Sequence, residues 1–248
     1  MTELVHYEVT DGIGTITLDS PHNRNALSRQ LVTELIACLE ESATDDSRVI
    51  VLRSADRVFC SGADLSEAAT VSMEDASAGI IGIMRGIVAH PKPVVARLGG
   101  PVRAGGLGIV AATDIAICSD EVTFAFTESR LGLAPAMISL TVLPRLTSRA
   151  ASDTFLSGRT FTAAEAAAMG LVTRSVPGED LDDEIARTCA DLMQAHPQGL
   201  AETKAILARP LLANIDEQGQ EMAVLSSRLF ASDGAREAMT AFLSRGKK

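Results

Sequence analysis

Two glycine-rich stretches about forty residues apart constrain this chain more than any other feature. The first is Phe59-Cys60-Ser61-Gly62-Ala63-Asp64-Leu65, and the second is Gly99-Gly100-Pro101-Val102-Arg103-Ala104-Gly105-Gly106-Leu107-Gly108. Each follows an apolar, β-branched run that reads as a strand, 49–52 for the first and 94–98 for the second. Each leads into a run that can be helical. Two strand-to-helix corners built from small residues can turn two bare backbone N–H groups toward one oxygen, which stabilises negative charge developing there. One such glycine alone signals only a turn. The order and wording of the two together carry the reading.

The rest of the first half alternates strand and helix. Residues 5–9 and 13–18 flank Asp11-Gly12, a hairpin signal. Ser28 stands where a cap belongs, ahead of Leu31, Val32, Leu35, Ile36 and Leu39 at helical spacing. A helix over 78–89 stops before Pro91, and 115–118 reads as a strand. This alternation predicts an α/β core. Beyond Ser139 the strand signals fade. Residues 171–176 form the last strand predicted, and helical patterns over 181–194, 199–208, 218–230 and 234–243 fill the remainder.

Composition narrows the function classes. A chain of 248 residues is long enough for one large domain, or one plus an appendage. It has no Trp, one Tyr and seven Phe, so the core rests on Ala, Leu, Ile and Val, and a base-stacking platform is not expected. A net charge of −10 argues against nucleic acid or an anionic membrane as partner. No apolar run is of membrane-spanning length, and the first residues lack the basic and apolar regions of a signal peptide. Cys38, Cys60, Cys118 and Cys189 form no CxxC pair, and neither they nor His6, His22, His90 and His196 make a metal-ligand pattern. The expectation is a reduced, cytoplasmic protein without a metal. There is no G-x-S-x-G elbow and no G-x-G-x-x-G fingerprint.

Six segments in order resemble the crotonase superfamily of enoyl-CoA hydratases and isomerases. Asn23-Arg24-Asn25-Ala26-Leu27-Ser28 is similar to its N-A-L segment, and Phe59 to Leu65 to its F-x-x-G-A-D-L segment. Pro91-Lys92-Pro93-Val94-Val95-Ala96 with Gly100 and Gly105-Gly106 resembles K-P-V-I-A…G…G-G-G. Phe124 to Pro135, with Glu128 and Gly132, resembles F-x-x-P-E-x-x-L-G-x-x-P. Phe161, the alanines at 163–167, and Gly170-Leu171-Val172 resemble the next segment, and Glu237, Met239 and Ala241-Phe242-Leu243 resemble the family ending.

The resemblance implies a spiral of ββα units over 1–190, then a helical region over 191–248 used in assembly as a homotrimer or a hexamer. It implies an acyl-CoA thioester substrate and no cofactor, since coenzyme A is part of the substrate. It places the oxyanion donors at the N–H groups of Ala63 and Gly105 and the catalytic carboxylate at Glu128, where apolar neighbours raise its pKa. Arg24, Ala26, Ser61, Asp64, Leu65, Gly106, Gly108 and Pro135 are the implied substrate contacts. Arg24, Lys204, Lys247 and Lys248 are candidate cations for the coenzyme phosphates, or else solvated surface charges. His22, near the implied adenine loop, reads as a surface residue.

Gly108 departs from the pattern, for many hydratases of the family carry a second glutamate there. Three readings stand: hydration of a 2-enoyl-CoA by one carboxylate, isomerisation between 3- and 2-enoyl-CoA by the same carboxylate, and a CoA-ester-binding relative with little catalysis. Arg103 replaces a usual apolar residue and reads either as the ion-pair partner of an acidic neighbour or as a ligand for a carboxylate on the acyl chain.

Overall fold

The computed structural model describes residues 2–67 and 72–245. The predicted hairpin is present as β1 (Val5–Thr10) and β2 (Ile13–Leu18), with Asp11 and Gly12 both at positive φ in its turn. Helix α1 (Arg29–Thr44) follows, and the Ser28 hydroxyl caps it by accepting from Leu31 N–H. Then come β3 (Val49–Ser54), α2 (Met73–Ala89), β4 (Val94–Leu98), β5 (Val102–Arg103), α3 (Gly105–Ala112), β6 (Ile115–Ser119) and β7 (Thr123–Ala125). The second half holds α4 (Ala136–Val142), α5 (Ser148–Ser157), β8 (Thr160–Thr162), α6 (Ala163–Met169), β9 (Arg174–Val176), α7 (Leu181–Gln194), α8 (Pro197–Phe230) and α9 (Asp233–Arg245).

The larger sheet has the order β1-β2-β3-β4-β6-β9, and β5-β7-β8 form a smaller one. Only the β1–β2 pair of the larger sheet is antiparallel. Strands β3, β4 and β6 at its centre are covered on both faces, which explains their near-continuous apolar runs. Alternation sorts the side chains by face. Ile50, Leu52, Val94, Ala96 and Leu98 join the main core, under α1 to α4 and α8. Val49, Val51, Val95 and Ile117 point the other way, where Leu181, Ile185 and Cys189 of α7 cover them.

Three expectations change. Strand β8 lies beyond Ser139, and its three residues are too few for a periodicity to register. The first glycine corner leads into a short 3-10 turn, Leu65–Glu67, rather than directly into an α-helix. The two helices expected over 199–208 and 218–230 are one, α8, with Pro210 inside it. Proline removes one helical donor. The acceptor it frees belongs to exposed Ile206, where water can serve it, while buried Leu211, Ile215 and Gly219 hold the helix to the core beside α2 and α4. All four cysteines are buried and unpaired.

Candidate active site

The two glycine corners lie side by side. Phe59 N–H donates to the Pro101 carbonyl (3.1 Å) and Arg103 N–H to the Cys60 carbonyl (2.9 Å), so the segments run parallel into their turns. A β-carbon on Gly62, which has φ 95°, would stand 2.9 Å from the Ala104 β-carbon and 3.7 Å from the Gly105 nitrogen. Glycine is therefore required there on both counts. Ala104 itself takes φ 45°, ψ −120°, a costly conformation for a residue with a β-carbon. This sharp turn ends β5 and begins α3 at Gly105, whose N–H has no acceptor within the helix. Among the described residues, neither Ala63 N–H nor Gly105 N–H donates to any acceptor. The helix terminus adds partial positive charge at Gly105.

A strap over 20–28 fixes the first corner. The Arg24 carbonyl accepts from Ser61 N–H (3.2 Å), and the Gly62 carbonyl accepts from Leu27 N–H (2.8 Å). Arg24 and Asn25 sit consecutively at φ 60° and 53°. Asn25 is fully buried. Its side chain accepts from Ser20 N–H (2.7 Å) and donates to the Val58 carbonyl (2.9 Å). Ser61 donates its hydroxyl to the Asn23 carbonyl (3.1 Å), and the Asn23 amide donates to Asp64 (2.9 Å).

Glu128 opens a 3-10 turn, Glu128–Leu131, just after β7. Arg130 does not pair with it but donates to the Ser157 carbonyl (2.9 Å). The Oε2 atom of Glu128 is shielded from solvent and has no hydrogen-bond partner among the described residues. Burial pushes this carboxyl up to about 7.

One cavity of about 1610 Å³ joins these parts. Ala63, Gly105 and Glu128 line it, as do Arg24, Ala26, Ser61, Asp64, Leu65 and Pro135. Exposed His22 lies at its wall too. Gly106 and Gly108 do not line it. They turn into the packed side of α3, where a β-carbon on Gly106 would meet Cys60 at 2.7 Å, and one on Gly108 would meet Met84 and Ile138 at the same distance. The helical C-terminal region, expected for assembly, also reaches the cavity through Phe230, Ala238 and Ala241.

Two cations depart from expectation. Lys204 is buried, donating to Asp114 (2.7 Å) and to the Ile87 and Lys92 carbonyls, so it is not available to a coenzyme. Arg103 donates to the Val102 carbonyl (2.9 Å), the Thr123 carbonyl (2.5 Å) and the Thr123 hydroxyl (2.8 Å), stitching β5 to β7 instead of meeting the acidic neighbour of one reading, and it lines the same cavity as Glu128. Lys247 and Lys248 lie outside the described residues. No grouping of His, Cys, Asp and Glu suited to a metal occurs among the described residues, and no described helix is long and apolar enough to cross a membrane.

Asn25 and Ala104 are the structural keys that residue-by-residue reading passes over. Asn25 has a signal, since Asn tolerates left-handed backbone better than most residues. Ala104 has none, because nothing about alanine announces a positive φ.

A carboxyl with one buried, unpartnered oxygen and two free amides lining one cavity suit proton transfer at a carbon next to a carbonyl. The family model for Enoyl-CoA hydratase/isomerase matches residues 8–248. A crystal structure of an enoyl-CoA hydratase from Mycobacterium avium is 42% identical with a TM-score of 0.92, covering 99% of this chain and 98% of that one. A Mycobacterium bovis protein named "Probable enoyl-CoA hydratase" is 30% identical over 246 residues, 98% of this chain and 96% of its own length. A 4-chlorobenzoyl coenzyme A dehalogenase from Arthrobacter is 34% identical over 214 residues, 81% of this chain and 76% of its own. The chain belongs to the enoyl-CoA hydratase/isomerase family of the crotonase superfamily, and its mixed α/β fold with a helical C-terminal region is the family's.

Proposed function

We propose that this protein hydrates a 2-enoyl-CoA thioester with Glu128 as its single acid–base group. The Ala63 and Gly105 amides receive the thioester oxygen. Glu128, ionised, takes a proton from water as the hydroxide oxygen bonds to C3, and the C2–C3 electron pair moves onto the thioester oxygen as an enolate. Protonated Glu128 then returns that proton to C2, and the product is a 3-hydroxyacyl-CoA. Each amide contributes on the order of 2–4 kcal/mol of barrier lowering by analogy with other oxyanion holes. A carboxyl held near 7 suits both halves of the cycle. The observation that carries the reading is Glu128 Oε2, buried without a partner and opening on the same cavity as the two amides.

Isomerisation of a 3-enoyl-CoA is a second reading, favoured by the apolar packing of Met84 and Ile138 where a second carboxylate would stand. It needs one proton shuttle and no water. Incubation of both enoyl esters in deuterated water, with products read by mass spectrometry, separates the two. A 3-hydroxyacyl-CoA product absent in Glu128→Gln supports hydration. Interconversion of the enoyl esters without added water overturns it in favour of isomerisation. Turnover of neither ester leaves a CoA-ester-binding role, which titration with CoA esters tests.

Assembly as a homotrimer or hexamer through 191–248 belongs to the same reading. Exposed Ile206, Leu207 and Val224 on α8 support it, and light scattering tests it.

A further inference from the structure

Helix α8 turns one hydroxyl toward the cavity. Ser226 lines it and is 4% exposed. A serine within a helix can satisfy its hydroxyl on the carbonyl four residues back. Ser152, Thr154, Ser157 and Thr240 all do so here, at 2.6 to 3.0 Å. Ser226 does not, and its Oγ has no hydrogen-bond partner among the described residues. Unlike the sealed Glu128 Oε2, this oxygen keeps accessible surface, which the cavity provides. Its surroundings are apolar. Besides Ser226, α4, α8 and α9 line the cavity with Ala136, Met137, Ile138, Phe230, Ala238 and Ala241. Ser226 is therefore the one side chain with a hydrogen-bonding oxygen or nitrogen that these three helices offer among the described residues, and none of their lining residues is charged. The end of α8 leads into α9, whose start abuts the Glu128 turn, for a β-carbon on Gly132 would stand 2.9 Å from the Gly234 carbonyl carbon. Ser226 lies one helical turn, about 6 Å, back along α8 from Phe230 and on the same face. It is thus set back from Glu128. A plain hydrocarbon chain laid over this wall covers the hydroxyl and leaves it unpaired, which is costly. A charged group there meets no counter-charge.

We propose that Ser226 hydrogen-bonds a hydroxyl group on the distal part of the acyl chain, so that the protein prefers hydroxylated over plain hydrocarbon thioesters. The proposal rests on the reading of the cavity as an acyl-CoA site. Calorimetric titration with octanoyl-CoA and with its 5-, 6-, 7- and 8-hydroxy derivatives tests it without turnover, since none of these esters carries a double bond. In the wild type, one hydroxy ester is expected to bind about fivefold or more tightly than octanoyl-CoA. Ser226→Ala places a good helix former in α8, so the fold is retained. That variant loses the advantage of the hydroxy ester and binds octanoyl-CoA at least as well as the wild type, because no hydroxyl is left to cover. If no hydroxy ester outbinds octanoyl-CoA in the wild type, or if the advantage persists in Ser226→Ala, the proposal is overturned and the site reading stands. Binding of none of the esters overturns the site reading itself, and the proposal with it.

Discussion

The sulfur of Met84 stands 2.7 Å from the point a β-carbon on Gly108 would occupy. Ile138 closes in as tightly from α4, and the Thr141 hydroxyl donates to the Gly108 carbonyl at 2.9 Å, fixing the contact. Gly108→Ala is therefore expected to destabilise the fold by about 1–3 kcal/mol through overpacking. Gly108→Glu, which also buries a carboxyl among apolar groups, costs more and brings no gain in hydration. Thermal melts and product analysis check both. A Gly108→Glu variant as stable as wild type would show that the α3–α4 contact yields freely.

Glu128 links pH to both rate and stability. Its carboxyl titrates at about 7 when folded and near 4.5 when free. Base-form activity should therefore rise with pH through about 7, and Glu128→Gln should lose about 10²–10⁴ in kcat while still binding thioester. The sign for stability is the opposite. Between those two values the folded state holds the extra proton, so this group's contribution is complete below 4.5 and is lost as pH rises through 7, by at most about 3 kcal/mol. Denaturant titrations from pH 5 to 8 should show the wild type losing stability relative to Glu128→Gln, and parallel curves would contradict the assigned burial.

Lys204 is 5% exposed and bonded to Asp114, and its burial lowers its pKa against the opposing pull of that carboxylate. Lys204→Met should cost about 3–5 kcal/mol, because the partner charge is left uncompensated. Adding Asp114→Asn should recover part of the loss. Affinity for CoA esters should not change in either variant, and a fall in affinity without a fall in melting temperature would return Lys204 to the ligand.

Asn25 supports the first glycine corner by two side-chain bonds and by its left-handed backbone. Asn25→Ala removes the bonds and strains the backbone, so a loss of about 2–3 kcal/mol and a lower kcat are expected. Asn25→Gly keeps the backbone freedom and loses only the bonds. If the two variants are equally impaired, the bonds alone matter. A milder glycine variant identifies the backbone turn that presents Ser61 as a second requirement.

Much of the site is legible in the sequence because its parts are local. Glycine corners, the Ser28 cap and the Glu128 segment each declare themselves within a few residues. What escaped depends on distant neighbours. Arg103 looks like a free cation until Thr123 is placed beside it, and Lys204 looks like a surface lysine until α8 is laid against Asp114. Gly106 and Gly108 belong to the motif, yet the rotation of α3 turns them away from the cavity and into the core. The short strands β5, β7 and β8 rest on pairing rather than propensity. The gap between the helical patterns over 199–208 and 218–230, where Pro210 falls, is bridged by tertiary packing of one continuous helix.

The Lys204–Asp114 pair joins residues ninety positions apart. During synthesis Asp114 emerges long before its counter-charge, and the seam between α2 and β4 waits for α8. Long-range closure of this kind slows folding and leaves intermediates exposed. Nascent chains halted before residue 204 should therefore be the species that chaperones hold, with the seam completed only once α8 has emerged.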